Sequence, residues 1–133
     1  EVIPFANDTD TLWRADNVKE LPDLLKKIKE KSPNGGTALY PAAERALELL
    51  KEEDKDKYNV SVVVLTDGRG NIGYFTSLEK YYKEIGIEIP IYSIQFASAD
   101  KSQLESMANL SNGKVFDGTT SLVDAFTEVR GYN

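Results

Sequence analysis

The chain has 133 residues, with 16 Lys and Arg against 22 Asp and Glu, a net charge of −6. That length suits one domain with a real core, and an acidic balance with no basic run argues against a nucleic-acid footprint. There is neither histidine nor cysteine, which removes His base chemistry, His metal ligation, thiol nucleophiles, zinc knuckles and disulfides, and no apolar stretch approaches the roughly 20 residues of a membrane span.

Residues 1–5 are apolar, and Asn7-Asp8 marks a turn after them. Residues 11–15 suggest a short edge strand carrying Trp13. Leu21, Leu24, Leu25 and Ile28 fall at i, i+3, i+4 and i+7, the pattern of a helix with one buried stripe. Ser32-Pro33-Asn34-Gly35-Gly36 ends it. Leu39, Ala42, Ala43, Ala46, Leu47 and Leu50 predict a second helix, with Pro41 in the first turn, where its missing N–H costs nothing. The charged run 51–57 is the solvated end of that helix and a loop.

Val60-Ser61-Val62-Val63-Val64-Leu65 is the strongest strand signal, β-branched and nearly all apolar, as a central strand covered on both faces would be. Leu78, Tyr81, Tyr82 and Ile85 predict a third helix closed by Gly86. Residues 89–96 form another strand, with Pro90 near its start. Asp100 and Gln103 have capping-box spacing ahead of Leu104, Met107 and Ala108, and Gly113 ends that helix. Lys114-Val115-Phe116 is a short strand, and Leu122, Ala125, Phe126 and Val129 make a last helix. Tyr81, Tyr82 and Phe126 sit at core spacing. Tyr74 and Phe75 lack such periodicity and suggest a contact surface at the rim of the sheet. Alternating strands and helices predict one α/β domain over 1–133, a three-layer α/β/α arrangement doubly wound around a mostly parallel sheet.

In such sheets ligands bind beyond the carboxyl ends of the strands. Thr66-Asp67-Gly68-Arg69-Gly70-Asn71 follows the strongest strand directly, so Asp67 is delivered at the rim by a rigid element. Gly68 and Gly70 leave room for a ligand. The alternative is a loop aspartate capping the next helix. Asn34-Gly35-Gly36-Thr37-Ala38-Leu39-Tyr40 opens a helix with free N–H groups and a hydroxyl. No lysine follows as in a P-loop, and Thr37 as a plain N-cap is the alternative. Taken together, the Thr37 hydroxyl and the Asp67 carboxylate are hard oxygen ligands, suited to Mg²⁺, Mn²⁺ or Ca²⁺. Two oxygens are too few for a dedicated site, so further ligands or waters must be supplied.

These segments resemble the von Willebrand factor type A domain. Gly35-Gly36-Thr37-Ala38-Leu39-Tyr40 resembles the family's second metal-site loop, and Val62-Val63-Val64-Leu65-Thr66-Asp67-Gly68 its third. Gly113-Lys114-Val115-Phe116-Asp117-Gly118 and the closing run 125–133 are similar to bacterial members, which are often extracytoplasmic and membrane-anchored. The resemblance implies a Rossmann-like fold and a metal-ion-dependent adhesion site. Thr37 would coordinate the cation through its hydroxyl and Asp67 directly or through a water. Gly35, Gly36, Gly68, Arg69 and Asn71 would border the bound ligand. An acidic side chain of a protein ligand would complete the octahedron. Binding rather than turnover is implied, so the chain is not expected to be an enzyme.

One departure changes these expectations. The family's Asp-x-Ser-x-Ser motif after the first strand has no counterpart, and Asn7-Asp8-Thr9-Asp10 follows what resembles the second strand. By the resemblance, the chain starts after the first strand and helix and the fold is incomplete at its N-terminus. Cation binding is then expected to be weak. The first strand's place, between residues 1–5 and 60–65, is left as a gap, closed by direct pairing or filled by another chain, with self-association expected. The competing function is a receiver-type phosphoacceptor domain, with Asp67 as acceptor and Asp8 and Asp10 as the acidic pair. A serine hydrolase is disfavoured, since Ser61, Ser93 and Ser98 have no histidine partner and no Gly-x-Ser-x-Gly elbow occurs.

Overall fold

The computed structural model describes residues 1–32, 35–54 and 56–132. Pro33 and Asn34 of the helix stop and glycine loop, Lys55 of the charged run and Asn133 of the closing segment lie outside the described residues. Among those described, the strands β1 (Val62–Thr66), β2 (Ile91–Gln95) and β3 (Val115–Asp117) form a parallel sheet in that order. The register sets Val64 beside Ser93 and Ser93 beside Val115. The helices are α1 (Leu21–Glu30), α2 (Leu39–Leu50), α3 (Phe75–Ile85), α4 (Lys101–Ser111) and α5 (Leu122–Tyr132). Helices α3 and α4 are the crossovers that parallel neighbours require.

Two cores, one on each side of the sheet, make the three layers. Leu39 and Leu47 of α2, Leu78 of α3 and Leu104 and Met107 of α4 pack with Val62, Val64 and Ile91. On the other face, Ala125 and Val129 of α5 pack with Tyr92, Ile94 and Phe116. Successive side chains of β2 therefore enter opposite cores, and Ile91–Ile94 is buried throughout. None of the described helices is long and apolar enough to cross a membrane.

Several expectations shift. Residues 89–96, not 60–65, supply the central strand. β1 is an edge of this sheet and begins at Val62. Its buried side chains alternate, leaving Val63 and Leu65 40% and 38% exposed. Both line a cleft of about 1330 Å³, shared with Val2, Phe5, Ile28 and Phe126. Residues 1–5 do not pair with β1 across it. Instead they turn back on themselves, with single antiparallel bridges joining Val2 to Trp13 and Phe5 to Thr9, so residues 11–15 contribute one bridge rather than a strand. Phe126 faces the cleft at 46% exposure instead of packing in the core.

Helix α1 forms as its periodicity predicts but buries none of its residues. Among the described elements it meets only the short 3-10 turn Val18–Glu20 before it, so Leu21, Leu25 and Ile28 stay exposed and Leu24 half-buried. The other boundaries move by a residue or two. β3 starts at Val115 rather than at residue 114. Asn112, not Gly113, takes the left-handed cap of α4, with φ 55°. Gly86 closes α3 in the left-handed region as expected.

Candidate functional site

Backbone geometry brings the two glycine-bearing loops together at the carboxyl end of β1. Thr66 is buried at the end of that strand, and its hydroxyl accepts from the Gly68 N–H at 3.3 Å and donates to the Gly68 carbonyl at 3.3 Å, which turns the chain sharply. Asp67 is left exposed at the tip of the turn. Its carbonyl accepts a hydrogen bond from the Ser98 hydroxyl at 3.0 Å.

Thr37 reaches the same point from the start of α2. A methyl built on Gly68 would stand 3.3 Å from Thr37 Oγ1, so the Asp67 turn rests against the threonine hydroxyl. The two loops are also tied through Asn71. The Thr37 N–H donates to Asn71 Oδ1 at 2.9 Å, and the Asn71 N–H donates to the Thr37 carbonyl at 3.1 Å. Asn71, expected to border a ligand, thus has its carboxamide oxygen engaged inside the site. A Cβ on Gly36 would press at 2.8–3.0 Å on the side-chain ends of Ile72, Asn71 and Asn7. Gly35 lies beside it in the left-handed region, with φ +76°.

Residues that the sequence reading did not assign to the site complete the frame. Asn7 Oδ1 accepts the Gly36 N–H at 2.6 Å, and the Ala38 N–H donates to the Ala6 carbonyl at 2.7 Å. From α4, Gln103 grips Gly70 twice: Oε1 accepts the Gly70 N–H at 2.7 Å, and Nε2 donates to the Gly70 carbonyl at 2.9 Å. Gln103 was expected to close a capping box. Instead Asp100 caps α4 by accepting from Ser102 and Gln103, while the Gln103 side chain leaves the helix for the loop. No local spacing rule points to such a contact, since its partners are 33 residues apart. The one sequence signal is negative, a glutamine placed just where the apolar stripe of α4 begins.

Two of the charges at the rim, Arg69 and Asp100, pair with each other. Arg69 is 3.2 Å from Asp100, with its side chain largely exposed. A hydrogen bond from the Ser102 hydroxyl holds the Asp100 carboxyl below the usual carboxylate range, helped by the α4 N–H groups and Arg69 and opposed by desolvation. Burial pushes the Tyr40 hydroxyl up, and a hydrogen bond with Gln103 works against that. Phe75 is not free at the rim, because it packs edge-on against Tyr40 at 6.0 Å between ring centroids. Tyr74 is exposed there.

Thr37 and Asp67 fit a hard divalent cation in kind, through a hydroxyl and a carboxylate, but not in number. Among the described residues no group of three Asp, Glu, His or Cys side chains could hold a metal ion. Thr37, Asp67, Gly35, Gly36, Asn7 and Asp8 all border the upper end of the cleft beside β1, so site and cleft are continuous.

A family model of the von Willebrand factor type A domain matches residues 1–130. Among solved structures, the chain is similar to proximal thread matrix protein 1 from the mussel byssus, determined with a zinc-occupied MIDAS motif. That likeness has a TM-score of 0.65 at 19% identity and covers 96% of this chain and 33% of the other. The chain thus spans about a third of the length of that protein, and what the likeness shows is the three-layer fold. No curated protein matches it.

Proposed function

This chain belongs to the von Willebrand factor type A domain family, and from that premise we propose that it is a protein-interaction module whose ligand docks where the Thr37 and Asp67 loops meet, through a divalent cation. Domains of this family are typically protein-interaction modules. The observation that supports the site is the contact of the Gly68 turn with Thr37 Oγ1, which brings the turn that carries Asp67 up to the threonine hydroxyl. A bound cation supplies a positive centre with open positions for a carboxylate of the partner. Mg²⁺ and Mn²⁺ suit the oxygen donors, with Ca²⁺ next. Arg69 at the rim is ion-paired with Asp100 at 3.2 Å, so the attraction for an acidic ligand would come from the bound cation. Two protein ligands make the cation site weak.

Titration with Mn²⁺, followed by broadening of backbone amide signals, tests this. Broadening should centre on Thr37, Asp67 and Gly68, with a dissociation constant on the order of millimolar. Asp67→Asn should weaken binding about tenfold or more, since it removes the only charged ligand, and Thr37→Ala less. Asp67→Asn binding Mn²⁺ as well as the wild type would overturn the assignment.

The receiver-type alternative loses ground on a specific contact. Asp10 of its acidic pair is ion-paired with Lys31, whose hydrogen bond holds the Asp10 carboxyl below its ordinary range.

The same reading extends to the open flank of β1. Its edge backbone and the exposed Val63 and Leu65 face the cleft, and an unpaired edge is a template for another strand. A second copy of the chain is the proposed occupant. Light scattering over a concentration series should show the mass rising toward a dimer, with or without Mg²⁺. Val63→Lys with Leu65→Lys should return it to a monomer. A wild-type monomer at every concentration would sink this extension and leave the cation site standing.

A further inference from the structure

We infer that Gln103 is the positioning residue of the site, through which α4 holds the Thr37 and Asp67 loops in place relative to each other. The inference rests on the reading of these loops as a cation-dependent site. The Gln103 amide grips both the N–H and the carbonyl of Gly70, three residues after Asp67. One side chain thus anchors the Asp67 loop one residue before its bridge to Thr37.

The neighbouring contacts explain why this matters. Asn71 follows Gly70 directly, and it is Asn71 that exchanges two hydrogen bonds with Thr37. A shift of Gly70 would pass straight into that bridge. Gly70 cannot settle inward to compensate, because a Cβ there would already be 2.9 Å from Leu39 Cβ. Helix α4 is itself a firm base, with Leu104 and Met107 fully buried in the core beside Gln103. The other links from this end of the sheet act on the flank of the turn. Ser98 holds the Asp67 carbonyl and Asp100 the exposed Arg69, but neither bonds to Gly70 or Asn71, where the Asp67 loop joins Thr37.

The test separates hydrogen bonding from packing. Gln103→Met keeps the length and most of the volume and makes neither bond to Gly70; Gln103→Ala removes both bonds and bulk. Amide hydrogen exchange is measured without metal, and Mn²⁺ binding afterwards. In Gln103→Met, exchange at Gly70, Asn71 and Thr37 should rise about tenfold or more, with Val64 and Ile94 of the strands unchanged. The Mn²⁺ affinity should fall several-fold. Unchanged exchange in Gln103→Met would overturn the inference, as would faster exchange with an unaltered Mn²⁺ affinity. Wild-type protein that shows no Mn²⁺ broadening would sink the cation reading alone, and the exchange ratios would still decide whether Gln103 sets the two loops. Gln103→Met keeps the question open to measurement should Gln103→Ala fail to fold.

Discussion

Gly113→Ala should be the most damaging single methyl that can be added to this domain, lowering stability by more than about 4 kcal/mol. The Cβ would stand 2.0 Å from the Ile91 carbonyl oxygen and 2.7 Å from its carbon. That contact is with backbone rather than with a flexible side chain. It is also with the central strand. Ile91 is fully buried, its N–H donates to the buried Ser111 hydroxyl at 2.9 Å, and it pairs with Val62 of β1. Moving Ile91 therefore disturbs two strands and the end of α4 together. Moving position 113 instead breaks its N–H bond to the Ala108 carbonyl and displaces Lys114, whose carbonyl accepts from Ser93 to start the β2–β3 pairing. Urea unfolding measures the effect as a drop in midpoint. Gly131→Ala is the control, because nothing lies within 4 Å of its Cβ position, and it should change stability by less than about 1 kcal/mol. Equal midpoints for the two variants would show that β2 yields at Ile91, against the packing described here.

Gly113 also marks how far the sequence could be read. A glycine after an apolar helix pattern predicts a helix end, and the end is there. The left-handed residue is Asn112, however, and Gly113 answers to a strand about 20 positions earlier. Helices α2, α3 and α4 were legible because their apolar spacing coincides with faces that are buried. The spacing of α1 is as regular, yet periodicity states only which side chains share a face. It does not state that anything packs on that face, and here no described element does. Val63 and Leu65 carry the same lesson for strands. Their apolar character predicts cover on both sides of β1, while the structure exposes them to the cleft.

The site divides along the same line. Thr37 and Asp67 were legible as residues at element ends, because one lies just before α2 and the other just after β1. Asn7 and Gln103 were not. Their bonds to Gly36 and Gly70 cross 29 and 33 residues, and a hydrogen bond between distant loops leaves no periodic trace. Asn71 was expected to border a ligand, and its bond to Thr37 appears only once the two loops are seen together.

Leu39→Ala should connect core and site in one measurement. Leu39 is 1% exposed and belongs to the larger core. It is also the floor under the Asp67 loop, since a Cβ on Gly70 would lie 2.9 Å from Leu39 Cβ and 3.1 Å from its Cδ2. Truncation should cost about 2–5 kcal/mol, from lost burial plus the cavity left behind. Leu47→Ala is the matched comparison, with the same chemistry on the same helix at 0% exposure, two turns further from Thr37. Both variants should lose similar stability. Only Leu39→Ala should speed amide exchange at Gly70 and Asn71, because only there does the cavity open beneath the loop. The size of the cavity then matters less than its place: a void under Gly70 lets the loop sink toward α2 and drags the Asn71 bridge away from Thr37. If both variants changed loop exchange equally, the loop would be responding to global stability, and Leu39 would be a core residue with no special hold on the site.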